Sequence, residues 1–303
     1  MKTAIVIIDM QNDFIHKDGS MCVPNGDKVA ANITKFLKEN KIDGVFASMD
    51  YHLEDNIAST NFWYTEGDKH VAPYTEITFD DVNLNKVKLK FHFYKVYLLD
   101  YLSELEKKGK KLIAWHSHCI QGTWGCDICD EINEILKSKE NVEYIKKGEN
   151  PYTEHYSIFK AEVPICNVSL TGYMYLPYIL ETTNVPLISN ITEDDKCASK
   201  IVNKDLYAPI GVNKDRVKED VQNETTLNTK LLDELNSYDK VYVCGVATDF
   251  CVRESIKDIV EYKPELCEKM VILKDCMAAI DKNFDIEKDE VYQKAIQLGT
   301  IMD

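Results

Sequence analysis

Lys240-Val241-Tyr242-Val243-Cys244-Gly245-Val246-Ala247-Thr248-Asp249-Phe250-Cys251-Val252 is the stretch on which the reading of this chain turns. Residues 240–243 read as a short buried strand and 252–262 as a helix, so Cys251 falls where a strand turns into a helix. Gly245 allows a tight turn there, and Asp249 is placed to cap the helix. A thiol at such a junction meets unpaired N–H groups and the positive end of the helix dipole. Both favour the thiolate, the form that attacks carbonyls. A buried cysteine beside a strand is more often a small core hydrophobe, so the rest of the chain must decide.

Working outward, Thr3-Ala4-Ile5-Val6-Ile7-Ile8 is a continuous apolar run of strand length, expected of a parallel strand buried on both faces. Val29, Ile33, Phe36 and Leu37 follow at helical spacing in a segment opened by Asn25-Gly26-Asp27. Residues 44–49, 111–115, 142–145 and 270–273 read as further strands, with helical stretches between several of them. This alternation predicts an α/β fold with a mainly parallel sheet flanked by helices, and a site at the carboxyl ends of the strands. No linker is long enough to force a split, so 1–303 reads as a single domain. Two insertions interrupt the rhythm, at about 60–108 and about 162–228. Phe91, Phe93, Tyr94, Tyr97, Leu98 and Leu99 make the first too apolar for a solvated loop, as Tyr173, Tyr175, Leu176, Tyr178, Ile179 and Leu180 do the second. Both are expected to pack on the core or across a subunit interface, which would suit a homo-oligomer.

The 303 residues carry 36 basic and 51 acidic side chains, a net charge of −15. With no dense basic patch, nucleic acid and anionic membranes are not expected partners. No apolar run approaches the length of a membrane span, and the apolar start of the chain runs straight into Asp9, too short for a secretion signal. Ten cysteines without such a signal fit reduced thiols and a cytoplasmic location. Cys126 and Cys129 form a lone CxxC with no second pair, read as two thiols on a helix.

Several polar residues stand at strand ends. Asp9 follows five apolar residues, where a carboxylate is costly to bury; it is either a cap or a general base. Asp50 and His52, two apart on an extended chain, share one side, and His118 follows the 111–115 run. An Asp and two His offer the mixed O/N set that zinc, iron or manganese accepts, with His116 a competing ligand. Lys147 is either one of a solvated pair with Lys146 or, beside Asp9 and Cys251, a neutralising cation.

Together these residues resemble the nicotinamidases of the isochorismatase-like cysteine hydrolase family. The resemblance rests on six blocks in the family's order. They are Ile7 to Phe14; Gly19-Ser20 to Gly26-Asp27; Ser48-Met49-Asp50-Tyr51-His52; Trp115 to Gly125; Lys147 to Phe159 with Tyr156-Ser157-Ile158-Phe159; and Gly245 to Val252. With their flanking elements they cover roughly two thirds of the chain, and both insertions lie outside them. The resemblance implies the family's three-layer fold. It also implies that Asp9, Lys147 and Cys251 are catalytic, that Val246 and Ala247 form a cis-peptide oxyanion loop, and that Phe14 and Trp115 clamp a pyridine ring. Asp50, His52 and His118 would hold one divalent metal ion, zinc first, with iron or manganese as alternatives. The expected reaction is hydrolysis of nicotinamide to nicotinate and ammonia through a cysteine thioester. A related amidase acting on another carboxamide, and a non-catalytic protein keeping the fold, are the competing readings.

Overall fold

The computed structural model describes residues 1–91, 94–164 and 225–303. Its centre is a six-stranded, all-parallel sheet. In chain order the strands are β1 (Thr3–Ile8), β2 (Gly44–Asp50), β5 (Val142–Lys147), β6 (Lys240–Val246), β7 (Met270–Ala278) and β8 (Ile301–Met302). They lie side by side as β8-β7-β6-β1-β2-β5. Outside it, β3 (Thr75–Ile77) and β4 (Leu112–Ala114) pair antiparallel in a separate ribbon, and the short strands Trp63–Tyr64 and Lys88–Leu89 pair antiparallel in another.

Alternation along β1 explains the layering. Ile5 and Ile7 point into one apolar cluster and Ala4, Val6 and Ile8 into another, so each face of the sheet needs its own cover. On one face lies helix α1 (Gly26–Glu39), which buries Val29, Ala30, Ile33 and Leu37. On the other lie α4 (Thr229–Asn236), α5 (Cys251–Tyr262) and α6 (Glu290–Gln297), burying Leu231, Leu232, Val252, Ile256, Ile259 and Tyr292. Burying each such aliphatic side chain contributes about 1.5–3 kcal/mol. The outcome is the three-layer α/β fold.

Residues 60–108 add helix α2 (Lys95–Lys107), which buries Tyr97, Leu98, Tyr101, Leu102 and Leu105 in the same cluster as Phe14 and Trp115. Phe91 and Leu99 pack against that cluster from its edge. Phe93 and, in the second insertion, Tyr173, Tyr175, Leu176, Tyr178, Ile179 and Leu180 lie outside the described residues.

Three expectations are corrected. The 111–115 run is a strand over Leu112–Ala114, but it joins β3 and not the central sheet, so His118 does not arrive from a neighbouring sheet strand. Asp249 does not cap α5; its carboxylate accepts instead from the N–H groups of Ile280 and Asp281, tying the turn to the chain beyond β7. Cys126 closes a short 3₁₀ turn (Trp124–Cys126) and Cys129 is the N-cap of α3 (Asp130–Leu136), so the pair does not share a helix. Among the described residues no helix is long and apolar enough to cross a membrane.

Candidate active site

Register alone brings the polar residues together. Ile8 lies level with Gly245, and Asp50 with Lys147, so Asp9, Asp50, Lys147 and the turn before Cys251 meet at the carboxyl ends of adjacent strands. Gly245 is required there: at φ +116 a Cβ would sit 2.1 Å from the Ile8 carbonyl oxygen. The Val246–Ala247 peptide that follows is cis. Asp9 leaves β1 with φ 51, a left-handed conformation that an L-residue holds at a cost of about 1–2 kcal/mol, and Asp tolerates it better than most.

Lys147 is the hub. Its Nζ lies 3.0 Å from Asp9 Oδ2 and hydrogen-bonds Asp50 Oδ1. It also reaches the His155 carbonyl at 3.2 Å and Cys251 Sγ at 3.5 Å. An ammonium this buried, 1% exposed, survives only by such pairing. Burial works against its charge, yet Asp50 and Asp9 carry its pKa well above the ordinary lysine value.

The two carboxylates on this lysine respond in opposite directions. Burial raises the Asp9 pKa, and Lys147 opposes without cancelling it. Asp50 is buried as well, but Lys147 and then His52 outweigh that cost and hold it well below the usual range. Two acids pushed apart in this way suit two tasks, a fixed anion and a proton carrier. Burial also pushes the Cys251 thiol well above its ordinary pKa despite Lys147. Enclosure thus opposes what the helix terminus favours, so attack by this thiol would call for a base beside it. An Asp9 carboxylate oxygen lies within 4.8 Å of Cys251 Sγ.

Next to this cluster Asp50, His52 and His118 converge. His52 Nε2 and His118 Nε2 lie 3.6 and 3.7 Å from Asp50 Oδ2. Each ring points its other nitrogen at a backbone carbonyl, His52 Nδ1 at Gly148 (3.1 Å) and His118 Nδ1 at His116 (2.6 Å). With Nδ1–H donating there, both Nε2 lone pairs and a carboxylate oxygen face one point, the donor set of a divalent metal with its outer hydrogen bonds in place. Burial disfavours charge on His52, but Asp50 reverses this and raises its pKa. Gly148, at φ +73, leaves room for this arrangement, since a Cβ would come within 2.5 Å of the His52 ring. His116 meets this group only through its carbonyl.

Phe14 is buried with its ring centroid 5.4 Å from that of His118. Trp115 is buried edge-on to Phe250 at 5.0 Å, and its Nε1 donates to the Tyr156 hydroxyl. Phe14 thus borders the histidines, and Trp115 borders the residue before the nucleophile. A cavity of about 160 Å³ lies on the far side of Tyr156 and Phe250, lined also by Leu105, Lys110, Glu154 and Glu162; Phe14, Trp115 and Cys251 do not line it.

Sequence reading passed over four residues here. Ser48 accepts from Asp9 N–H and donates to Asp9 Oδ1; its place two residues before Asp50 on one strand face was the available signal. Buried Gln11 pairs with both the N–H and the carbonyl of Asp50. Phe250 and the buried Glu154, whose Oε2 has no hydrogen-bond partner, gave no local signal.

No family model matches the chain. Among curated proteins, nicotinamidase of Saccharomyces cerevisiae is 28% identical over 161 residues, 52% of this chain and 62% of that protein. Nicotinamidase of Escherichia coli is 25% identical over 158 residues, 52% of this chain and 56% of that protein. The matched stretch is therefore less than two thirds of these relatives' own length. Among solved structures, the yeast nicotinamidase superposes with a TM-score of 0.56 at 19% identity, covering 100% of this chain and 99% of that one. An Acinetobacter baumanii nicotinamidase superposes at 0.53 and 18% identity, covering 99% and 95%. The chain has the fold of these isochorismatase-like enzymes, and the family resemblance carried by its motifs agrees with its curated relatives.

Proposed function

We propose that this protein is a cysteine hydrolase that cleaves nicotinamide to nicotinate and ammonia. The observation that carries the reading is one buried lysine touching Asp9, Asp50 and Cys251 at once. Such a constellation can hold a carboxylate base and a thiol in register for acyl transfer. Curated relatives named nicotinamidases, and a yeast nicotinamidase of this fold solved with the inhibitor nicotinaldehyde, support the choice of substrate.

Asp9 takes the Cys251 proton as Sγ attacks the carboxamide carbon. N–H groups of Ala247 and of Cys251, the latter free of intrahelical bonding at the first turn of α5, receive the oxyanion. Asp9 then gives its proton to the departing ammonia, leaving a thioester. It next removes a proton from the attacking water, which releases nicotinate and the thiolate, reprotonated for the next cycle. Lys147 holds Asp9 and the developing thiolate in place. Phe14 and Trp115 flank the pyridine ring. Asp50, His52 and His118 would hold a divalent ion, zinc in the first instance, which when bound supplies a Lewis-acidic anchor for the ring nitrogen or its water. The cysteines fit a reducing, cytoplasmic setting: the eight among the described residues are all free thiols.

A coupled ammonia assay on nicotinamide, pyrazinamide and an aliphatic amide, with metal analysis of the same sample, tests this. Turnover of nicotinamide with about one equivalent of metal is expected. Ammonia from the aliphatic amide alone would overturn the substrate assignment.

A further inference from the structure

The first insertion reaches the reacting groups without supplying one. Lys147 Nζ leans on the His155 carbonyl, in the stretch that follows β5. That stretch is held from outside by α2. Tyr101, 2% exposed, accepts the Glu154 N–H at its hydroxyl (2.9 Å), and Tyr97, 3% exposed, donates to the Tyr152 carbonyl. The Tyr94 ring packs on Tyr152 at 4.6 Å between centroids, and the two hydroxyls hydrogen-bond. Glu154 then fixes His155 by accepting its N–H at Oε1 (2.8 Å), and the Glu154 carbonyl accepts from Glu162 N–H (2.9 Å).

We propose that Tyr97 and Tyr101 are positioning residues, which clamp the backbone of residues 152–155 so that the His155 carbonyl keeps the Lys147 ammonium against Cys251. The physical reason is directional. Lys147 has three N–H donors, and its carboxylate partners alone leave it free to settle between Asp9 and Asp50. A rigid carbonyl gives it a further fixed acceptor. A carbonyl in a loop is rigid only if its neighbours' backbone groups are bonded, and here the bonds come from buried phenols on a helix. The proposal rests on the reading of Lys147 and Cys251 as the reacting pair.

Tyr97→Phe and Tyr101→Phe remove one hydroxyl each and keep the ring. Three readouts follow: amide exchange across residues 150–156, the rate at which iodoacetamide alkylates Cys251 at a fixed pH, and nicotinamide turnover. Losing one such hydrogen bond should speed exchange at 152–155 about tenfold. Cys251 alkylation should slow about threefold as the ammonium loosens its hold on the thiolate. For turnover, kcat should fall about three- to tenfold with KM within about twofold. Lys107→Ala, an exposed change on the same helix, should move none of the three. Faster exchange with alkylation and kcat both at the wild-type level would reduce the two tyrosines to packing and overturn the proposal; so would unchanged exchange. If Tyr101→Phe does not fold, Tyr97→Phe decides. A wild-type protein inert toward nicotinamide would sink the assigned reaction, while exchange and alkylation still judge the clamp.

Discussion

Lys147 and Lys110 each bridge two carboxylates, and they do different things. Lys147 joins Asp9 and Asp50 with its side chain 1% exposed; Lys110 joins Glu162 and Glu254 with its side chain 24% exposed. Lys110 is a tie: it fastens the end of the first insertion to the loop carrying Glu162 and to α5. Lys147 is a tie that also contacts a thiol, where β6 turns into α5. A cation between two acids is thus not itself a catalytic signature; a nucleophile within reach of it is.

Predictions that break or sharpen this contrast begin at the thiol. Cys251→Ala should abolish nicotinamide turnover with the fold kept, since no other side chain in the cluster can carry the acyl group. Residual activity within tenfold of wild type would remove Cys251 from the mechanism, and an alkylating pyridine should label it ahead of the buried Cys119 and Cys244.

Asp9→Asn should lower kcat by about a hundred- to ten-thousand-fold, the usual contribution of a general acid–base group. Lys147→Met should fall in the same range, measured at saturating nicotinamide. Normal turnover in Lys147→Met would make Lys147 and Lys110 alike, and the contrast would fail.

Chelation, or His52→Ala, should strip the metal and raise KM for nicotinamide by about tenfold or more. Metal retained after loss of both His52 and His118 would dismiss the site; metal lost in His116→Ala but kept in His118→Ala would reverse their assignment.

Glu162 should show itself in stability. Burial raises its carboxyl from 4.5 to about 7, with Lys110 opposing. The folded protein then keeps a proton that the unfolded chain has released. The associated stability is full below pH 4.5 and is lost as pH rises to about 7. Over that window the loss is up to about 3 kcal/mol, and denaturation of Glu162→Gln should lack that slope.

The smallest effect is expected at Lys110→Met: about 2 kcal/mol of stability, read by urea denaturation, with kcat within about threefold of wild type. A catalytic loss as deep as that of Lys147→Met would show that the tie reaches the chemistry.

Much of the site was legible because it is built from strand ends. In a parallel sheet the strands deliver their last residues to one edge, so Asp9 just after β1, Asp50 at the end of β2 and Lys147 at the end of β5 could be brought together from the sequence alone. His118 was found for a less direct reason. The strand before it lies outside the main sheet, and the ring reaches Asp50 through a loop in which Cys119 takes a positive φ of 46 and donates its N–H to Asp13. Gln11, Glu154 and Phe250 were not legible, and Ser48 only through its place two residues before Asp50. Their roles come from partners 39 or more positions away, as between Ser48 and Asp9, or from an enclosure that no local pattern records.

What the sequence determined by itself is five of the six strands of the central sheet, the α/β class and the acid, lysine, thiol and histidines near the strand ends, because these follow from local periodicity and from the cost of placing a charge beside an apolar run. Only the tertiary structure decided in which direction the pKa of each is pushed. Asp9 and Asp50 are the same residue type at equivalent places, yet burial dominates one and the neighbouring cations dominate the other. Burial likewise raises the pKa of the Cys251 thiol, with Lys147 opposing, although Cys251 begins a helix. Desolvation depends on everything packed around a group, and that sum is not written in any stretch of the chain.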